Sequence, residues 1–108
     1  MGKRARFTLV VLQAAKAGLD ALRPFERRRV ADAIDANLVF EPLWASRKRK
    51  DLGVPKAGFE YEPPLWELKV GEIRVFYTVN ADEQKVTIRS VRSVRRKPPE
   101  KTTEEVLK

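Results

Sequence analysis

The segment WELKVGEIRVFY, residues 66–77, decides how this chain folds. Gly71-Glu72 at its centre fits a two-residue hairpin loop, since glycine accepts the first central position of a primed turn. The segment then forms two antiparallel strands whose side chains alternate between the two faces. One face is an apolar ladder. Its opposed pairs are Trp66 with Tyr77, Leu68 with Val75, and Val70 with Ile73.

The second face of this hairpin places two cations directly against each other. Lys69 lies opposite Arg74, and Glu67 lies opposite Phe76. Like charges in opposed positions destabilise a sheet. The rest of the hairpin follows the pattern of a stable sheet, and an unfavourable feature within such a pattern often marks a functional site. We interpret the pair as a surface over which an anion lies when the protein works, and a phosphate backbone suits it.

Composition narrows the class of protein. The 108 residues predict one domain over 1–108, and no apolar run is long enough to span a membrane. The net charge of +8 calls for a polyanionic or acidic partner. Histidine and cysteine are absent, which removes the usual general base and thiolate chemistry. We therefore expect no metal and no cofactor, and any catalysis must use Arg, Lys, Tyr, Glu or Asp.

The positive charge is segregated along the chain. Residues 85–99 contain six basic residues and no acid. These six are Lys85, Arg89, Arg92, Arg95, Arg96 and Lys97. A second run, Arg47-Lys48-Arg49-Lys50, is predicted to make sequence-independent phosphate contacts. Segregated charge favours contact with nucleic acid or the ribosome over a merely solvated surface, so Arg89, Arg96 and Lys97 are further candidates.

The N-terminal part predicts a strand and two helices. Residues 4–10 are rich in β-branched and aromatic residues, as strands are. A helical stripe follows, at Val11, Ala15, Leu19 and Leu22. Pro24 fits the first position of a second helix. The apolar residues of that helix recur every fourth position, at Val30, Ile34 and Leu38. The two helices are expected to form a helical hairpin.

The remainder predicts a long basic loop at about 41–64, the hairpin, a strand at about 85–94, and a tail at about 98–108. A short C-terminal helix is expected in TTEEVLK. The two helices must cover the apolar ladder, which predicts an α+β domain with helices on one face of a small curved antiparallel sheet. The opposite face is expected to be open to solvent. Its residues are Glu67, Lys69, Arg74, Phe76, Thr78, Thr87 and Arg89.

The order helix, helix, basic loop and then LWELKVGEIRVFYTVNADEQKVTIRSV resembles the RelE/ParE superfamily of bacterial toxins, over residues 5–95. The hairpin segment is similar to the RelE-like branch in particular. The resemblance implies a cytoplasmic toxin of a toxin–antitoxin module, neutralised by a cognate antitoxin. RelE-type members cut mRNA on the ribosome, whereas ParE-type members inhibit DNA gyrase.

The resemblance also assigns roles to residues. Arg74 falls where RelE-type nucleases hold the scissile phosphate and stabilise its developing charge. Arg92 and Arg95 are alternatives for a second arginine near the end of the last strand. The C-terminal tyrosine of those enzymes has no counterpart, since no tyrosine follows Tyr77. Three functions remain open: a RelE-like endoribonuclease, a gyrase inhibitor without enzymatic activity, and a member that only binds its antitoxin.

Two residues on the open face have competing interpretations. Glu67 is the carboxylate placed to accept a proton from an RNA 2′-hydroxyl, with Lys69 and Arg74 supplying positive charge. The simpler interpretation is that Glu67 neutralises those two cations in a surface ion network. Phe76 either stacks on a base or packs against an antitoxin segment or the C-terminus of the chain.

Overall fold

The computed structural model describes residues 6–40, 42–43 and 45–94. Five strands and two helices follow one another in the order β1, α1, α2, β2, β3, β4, β5. The strands are β1 (Thr8–Val11), β2 (Arg49–Gly53), β3 (Leu65–Val70), β4 (Ile73–Asn80) and β5 (Lys85–Ser93). The helices are α1 (Gln13–Asp20) and α2 (Pro24–Leu38). The fold is α+β, which confirms the predicted class.

All five strands form one curved sheet in the spatial order β1-β5-β4-β3-β2. Strands β2 to β5 pair antiparallel, as predicted. Strand β1 differs, because it pairs parallel to β5, with Thr8 opposite Lys85 and Val11 opposite Ile88. The sheet is therefore mixed. Val11 belongs to this strand, so the predicted helical stripe begins two residues before α1, which starts at Gln13.

The β3–β4 hairpin has the register that the sequence predicts. All five opposed pairs occur, from Trp66 with Tyr77 to Val70 with Ile73. Gly71 takes the left-handed φ of 62° that the first central position of a primed turn requires. Trp66 and Tyr77 stack with their ring centroids 6.1 Å apart. The turn residue and the alternation of neighbouring side chains are thus sufficient to determine the structure of this hairpin.

Strand β2 corrects the prediction that residues 41–64 lack regular structure. Residues 49–53 pair antiparallel with β3, although RKDLG shows no apolar alternation. The strand lies at the edge of the sheet, where charged residues are common because they discourage pairing with another chain. The sequence pattern did not predict this strand because it lies within a long polar segment that has no apolar periodicity.

The helices cover one face of the sheet and enclose the core, as expected. Both helices and the three strands β3, β4 and β5 contribute fully buried residues to the core. These are Ala15, Val30, Leu38, Leu68, Val75, Tyr77, Val86 and Ile88. Pro24 begins α2, and the side chain of Glu26 accepts a hydrogen bond from the backbone N–H of Arg23, 3.1 Å long. This contact satisfies an N-terminal donor of the helix.

Helix α1 packs very closely on β5. A Cβ added to Gly18 would lie 2.2 Å from the carbonyl oxygen of Val91, a distance that atoms do not tolerate. Gly18 therefore lets the helix approach the strand, which outweighs the helix propensity that glycine lacks. Within the described residues, no helix is long and apolar enough to cross a membrane. The predicted tail 98–108 and its helix lie outside the described residues.

Candidate nucleic-acid interface

The face of the sheet away from the helices carries a row of four cations. Lys69 lies opposite Arg74, and Arg74 lies opposite Arg92. Lys48, just before β2, extends the row, because its carbonyl accepts a 2.8 Å hydrogen bond from the backbone N–H of Lys69. With strands about 4.8 Å apart, the row is about 14 Å long. We call these four residues the cationic row.

A β-bulge in β5 brings Arg92 into this row. Phe76 pairs with Ser90 whereas Tyr77 pairs with Ile88, so Arg89 is an extra residue on β5. Strict alternation would turn Arg92 toward the helices. The bulge instead sends Val91 into the core, where it is 5% exposed, and leaves Arg92 exposed on the other face. Arg95, the alternative position for a second arginine, lies outside the described residues.

Arg74 lies at the centre of the cationic row and points away from the helices. Its Nη1 donates hydrogen bonds to the carbonyls of Gly71 (2.8 Å) and Ile73 (3.2 Å). Its Nε lies 3.9 Å from Oε2 of Glu67, and the two side chains are 20% and 17% exposed. Glu67 therefore faces the cation as the ion-network interpretation requires.

Residues 54–62, which we call the strap, fold back over one half of this face. The ring of Phe59 lies 6.3 Å from that of Phe76. The guanidinium of Arg92 lies over both rings, 5.6 Å from Phe59 and 5.7 Å from Phe76. Its Nη2 donates to the carbonyl of Ala57, 3.2 Å away. In the other half of the face, Lys48 and Lys69 are exposed, whereas the Arg74 side chain is 20% exposed.

The surroundings of Phe76 differ from the expectation of an aromatic ring open to solvent. The ring is half-buried and packs on Phe59 of the strap and on Arg92. Phe76 therefore packs against a segment that none of the three predicted alternatives included. Leu65 is 1% exposed and lines the same cleft as Phe76, which makes a small second apolar cluster on this face.

Arg49 also differs from its predicted role in phosphate contact. It is 6% exposed and lies on the helix side of the sheet. Its Nη1 donates to the backbone carbonyl of Asn37 (2.9 Å) and to the Oδ1 of the same residue (3.2 Å). Arg49 thus ties β2 to the end of α2. We remove it from the nucleic-acid candidates because it points toward the helices, whereas its neighbour Lys50 on β2 lies on the opposite face.

The other predicted binding residues remain at the surface where the structure describes them. Arg47, Lys48 and Lys50 are exposed, and Lys50 lies opposite Glu67. Arg89 is half-buried and bonds through Nε to the Thr78 hydroxyl, 3.0 Å away. Arg96 and Lys97 lie outside the described residues.

Sequence reasoning missed the strap and its aromatic residues. The signal available was GFEYEPP, residues 58–64, which places two aromatic residues in a polar, proline-rich stretch. Within the described residues, no group of three or more potential ligands lies together as a metal site would require. The charged side chains of this face are mostly cations, with Glu67 beside Arg74, and the aromatic Phe76 lies among them. Cations bind phosphates and aromatic rings stack on bases.

Two comparisons of the sequence give no match: no protein-family model fits the chain, and no curated protein matches it. Solved structures do match. A chain of the archaeal RelE–RelB complex from Pyrococcus horikoshii OT3 aligns with a TM-score of 0.67 and 19% identity, covering 85% of this chain and 99% of that one. A chain of the RelBE2 toxin–antitoxin complex from Mycobacterium tuberculosis aligns with a TM-score of 0.67 and 24% identity.

The second alignment covers 86% of this chain and 97% of the other. Both matches span nearly the whole of the solved chains. At these identities the likeness is one of fold. The chain has the RelE-like fold.

Proposed function

We propose that the chain is the toxin of a type II toxin–antitoxin module and a RelE-like endoribonuclease that cleaves mRNA on the ribosome. The observation that carries the proposal is the cationic row, with Arg74 at its centre and Glu67 beside it. Like-charged neighbours are unfavourable in the free protein. An RNA phosphate lying over them would relieve that repulsion and gain charge-assisted hydrogen bonds.

The chemistry follows from the groups on this face. The RNA 2′-oxygen attacks the adjacent phosphorus as the bond to the 5′-oxygen breaks, which leaves a cyclic phosphate and a 5′-hydroxyl. Glu67 takes the 2′-proton, and Arg74 stabilises the charge on the phosphorane. Lys69 is exposed beside Arg74 and is able to return a proton to the leaving oxygen. Each positioned acid or base is worth about 10²- to 10⁴-fold in rate.

A test is expression in bacteria with pulse labelling of protein and DNA synthesis. The nuclease predicts an early fall in translation with cut mRNA, and Arg74→Ala relieves it. Lys16→Ala, which removes an exposed cation on α1, is the control and stays toxic. A fully toxic Arg74→Ala variant overturns the assignment. Purified protein should also bind single-stranded RNA with an affinity whose logarithm falls with log salt by about 0.7 per phosphate contacted.

Gyrase inhibition is the second candidate. The sequence observation that favours it is the lack of any tyrosine after Tyr77, which removes the C-terminal tyrosine implied for RelE-type nucleases. In the same labelling experiment it predicts that DNA synthesis stops while translation initially continues.

We also propose a cognate antitoxin as partner, since the two similar structures are toxin–antitoxin complexes. The surface that suits it is an apolar groove of about 460 Å³ at the β1 edge of the sheet. Leu9, Val11, Leu19 and Ile34 are among its lining residues, and Val11 is 45% exposed. Arg27 and Arg28 also line it, which suits an acidic amphipathic segment. Val11→Glu should block neutralisation by the antitoxin and leave toxicity unchanged.

A further inference from the structure

A cleft lies between the strap and the sheet, at the end of the cationic row. Its volume is about 150 Å³. Of its eight lining residues, six are apolar or aromatic, among them Leu52, Phe59, Leu65 and Phe76, and two are the cations Lys56 and Arg92. A mostly apolar concave site with a few charged groups is the usual form of a ligand pocket.

The dimensions of the cleft suit a single aromatic ring. In another protein, an engineered apolar cavity of about 150 Å³ takes one benzene molecule. A pyrimidine base has one six-membered ring, whereas a purine has two fused rings. The Phe59 and Phe76 walls offer aromatic surface for stacking, which is how proteins hold unpaired bases.

Side-chain hydrogen bonds to the backbone carbonyls of the strap hold it in place. The cleft is therefore preformed. Arg92 donates through Nη2 to the Ala57 carbonyl, and Arg89 donates through Nη1 to the Glu60 carbonyl at 3.4 Å. The Tyr61 hydroxyl donates to the carbonyl of Pro55. Phe59 and Tyr61 meet edge to face, with ring centroids 6.0 Å apart. These contacts join both ends of the strap to the sheet or to each other.

The cleft is continuous with the cationic row because Arg92 belongs to both. Arg92 is exposed, and its Nε donates to the Ser90 hydroxyl at 3.2 Å. These contacts hold the Arg92 guanidinium between the two aromatic rings of the cleft and the rest of the cationic row. Arg74 lies opposite Arg92, about 5 Å away on the next strand, so we expect a nucleic-acid strand whose phosphate lies on Arg74 to bring its neighbouring base to the cleft.

We propose that this cleft binds one unpaired base, with a preference for pyrimidines, of a single-stranded nucleic acid whose phosphates lie on the cationic row. The proposal rests on the nucleic-acid binding proposed above, and it does not depend on cleavage. It makes Phe59 a specificity-determining residue of the interface.

The test measures binding of the full chain to three hexanucleotides with 2′-O-methyl riboses, which resist cleavage through the 2′-hydroxyl. One carries uracil throughout, one carries adenine, and one is abasic. We expect the uracil strand to bind tightest and the abasic strand weakest. Phe59→Ala should weaken uracil-strand binding by about 5- to 150-fold, the range for loss of one stacked base. It should leave abasic-strand binding unchanged.

Two further variants keep the result interpretable. Phe25→Ala removes a phenylalanine that is 58% exposed on α2, and it should leave all three affinities unchanged. Phe59→Leu keeps the apolar filling of the strap but removes the aromatic ring, so it should weaken uracil-strand binding as Phe59→Ala does while its unfolding transition stays close to that of the wild type.

Each alternative result is decisive. Equal binding of the uracil and abasic strands by the wild type overturns the cleft and leaves the phosphate-binding row intact. An affinity increase in Phe59→Ala also overturns it, since the strap would then be obstructing the strand. No measurable binding of any strand overturns the nucleic-acid function together with the cleft.

Discussion

Arg74 of β4 and Arg92 of β5 lie directly opposite each other, with both side chains on the sheet face away from the helices. Lys69 lies on the other side of Arg74, so three adjacent strands present three cations in line. In an ordinary sheet this arrangement is unfavourable. The free protein reduces the repulsion by turning Arg92 onto the strap and Arg74 toward Glu67.

The two interpretations of Glu67 give different outcomes for Glu67→Gln. Removing the carboxylate charge beside Arg74 should raise RNA affinity, by about fivefold if the Glu67–Arg74 ion pair is worth about 1 kcal/mol. If Glu67 is also the base, single-turnover cleavage should fall by about 10²- to 10⁴-fold. Fluorescence titration and a cleavage time course measure the two effects separately. Unchanged cleavage by this variant would leave Glu67 with the ion network alone.

Arg49 and Lys50 are neighbours with opposite predicted effects. Arg49→Met should lower the free energy of unfolding by about 1.5–3 kcal/mol, because it removes charge-assisted hydrogen bonds to Asn37. Lys50→Met removes an exposed cation, so stability should change by about 0.5 kcal/mol or less. RNA affinity should show the reverse order. Urea denaturation and titration at several salt concentrations check this pair, and equal stability of both variants would contradict it.

Gly18→Ala should destabilise the protein although alanine is the better helix former. The added methyl group would lie 2.2 Å from the Val91 carbonyl oxygen, so α1 or β5 must move. Overpacking of this kind costs about 1–3 kcal/mol, which exceeds the gain of about 1 kcal/mol in helix propensity. Lys16→Ala, exposed on the same helix, is the control. A higher melting temperature for Gly18→Ala would show that the helix–strand contact is looser than the structure has it.

Tyr77→Phe should destabilise the protein in a pH-dependent manner. The phenol is fully buried and donates a 2.6 Å hydrogen bond to the carbonyl of Pro42, so its loss should cost about 1–3 kcal/mol at neutral pH. Burial raises the pKa of Tyr77 above its ordinary value of about 10. The unfolded chain therefore loses this proton first as the pH rises, and the stability that the phenol contributes declines above about pH 10.

The measurement is the difference in unfolding free energy between wild type and Tyr77→Phe, taken from pH 7 to 11. Lysine titration affects both proteins alike, so it cancels in the difference. The difference should be constant up to about pH 9 and should shrink at higher pH. A constant difference over the whole range would mean that the phenol ionises as easily in the folded state as in the unfolded one.

Local patterns predicted the hairpin and the helices well. Gly71 specifies the turn, and strict alternation on both sides of it fixes which side chains face the core. Pro24 and Glu26 mark the start of α2, because both act within the first turn of the helix. The same local patterns predicted part of the candidate site, because the hairpin register alone places Lys69 opposite Arg74.

The strap and β2 were not predictable in this way. Arg92 meets Ala57 across 35 positions of sequence, and neither residue signals the other. Strand β2 owes its pairing to the exposed edge of β3, since RKDLG has no pattern that favours a strand. Its pairing decides that Lys48 joins the cationic row and that Arg49 turns inward.

The sequence by itself determined the two faces of the β3–β4 hairpin, because side-chain alternation and a glycine turn are properties of neighbouring residues. Only the tertiary structure decided that Arg92 belongs beside Arg74. That outcome depends on one extra residue in β5, Arg89, which has no counterpart on β4. A bulge is defined by a mismatch between two strands, so it becomes visible only once the strands are paired.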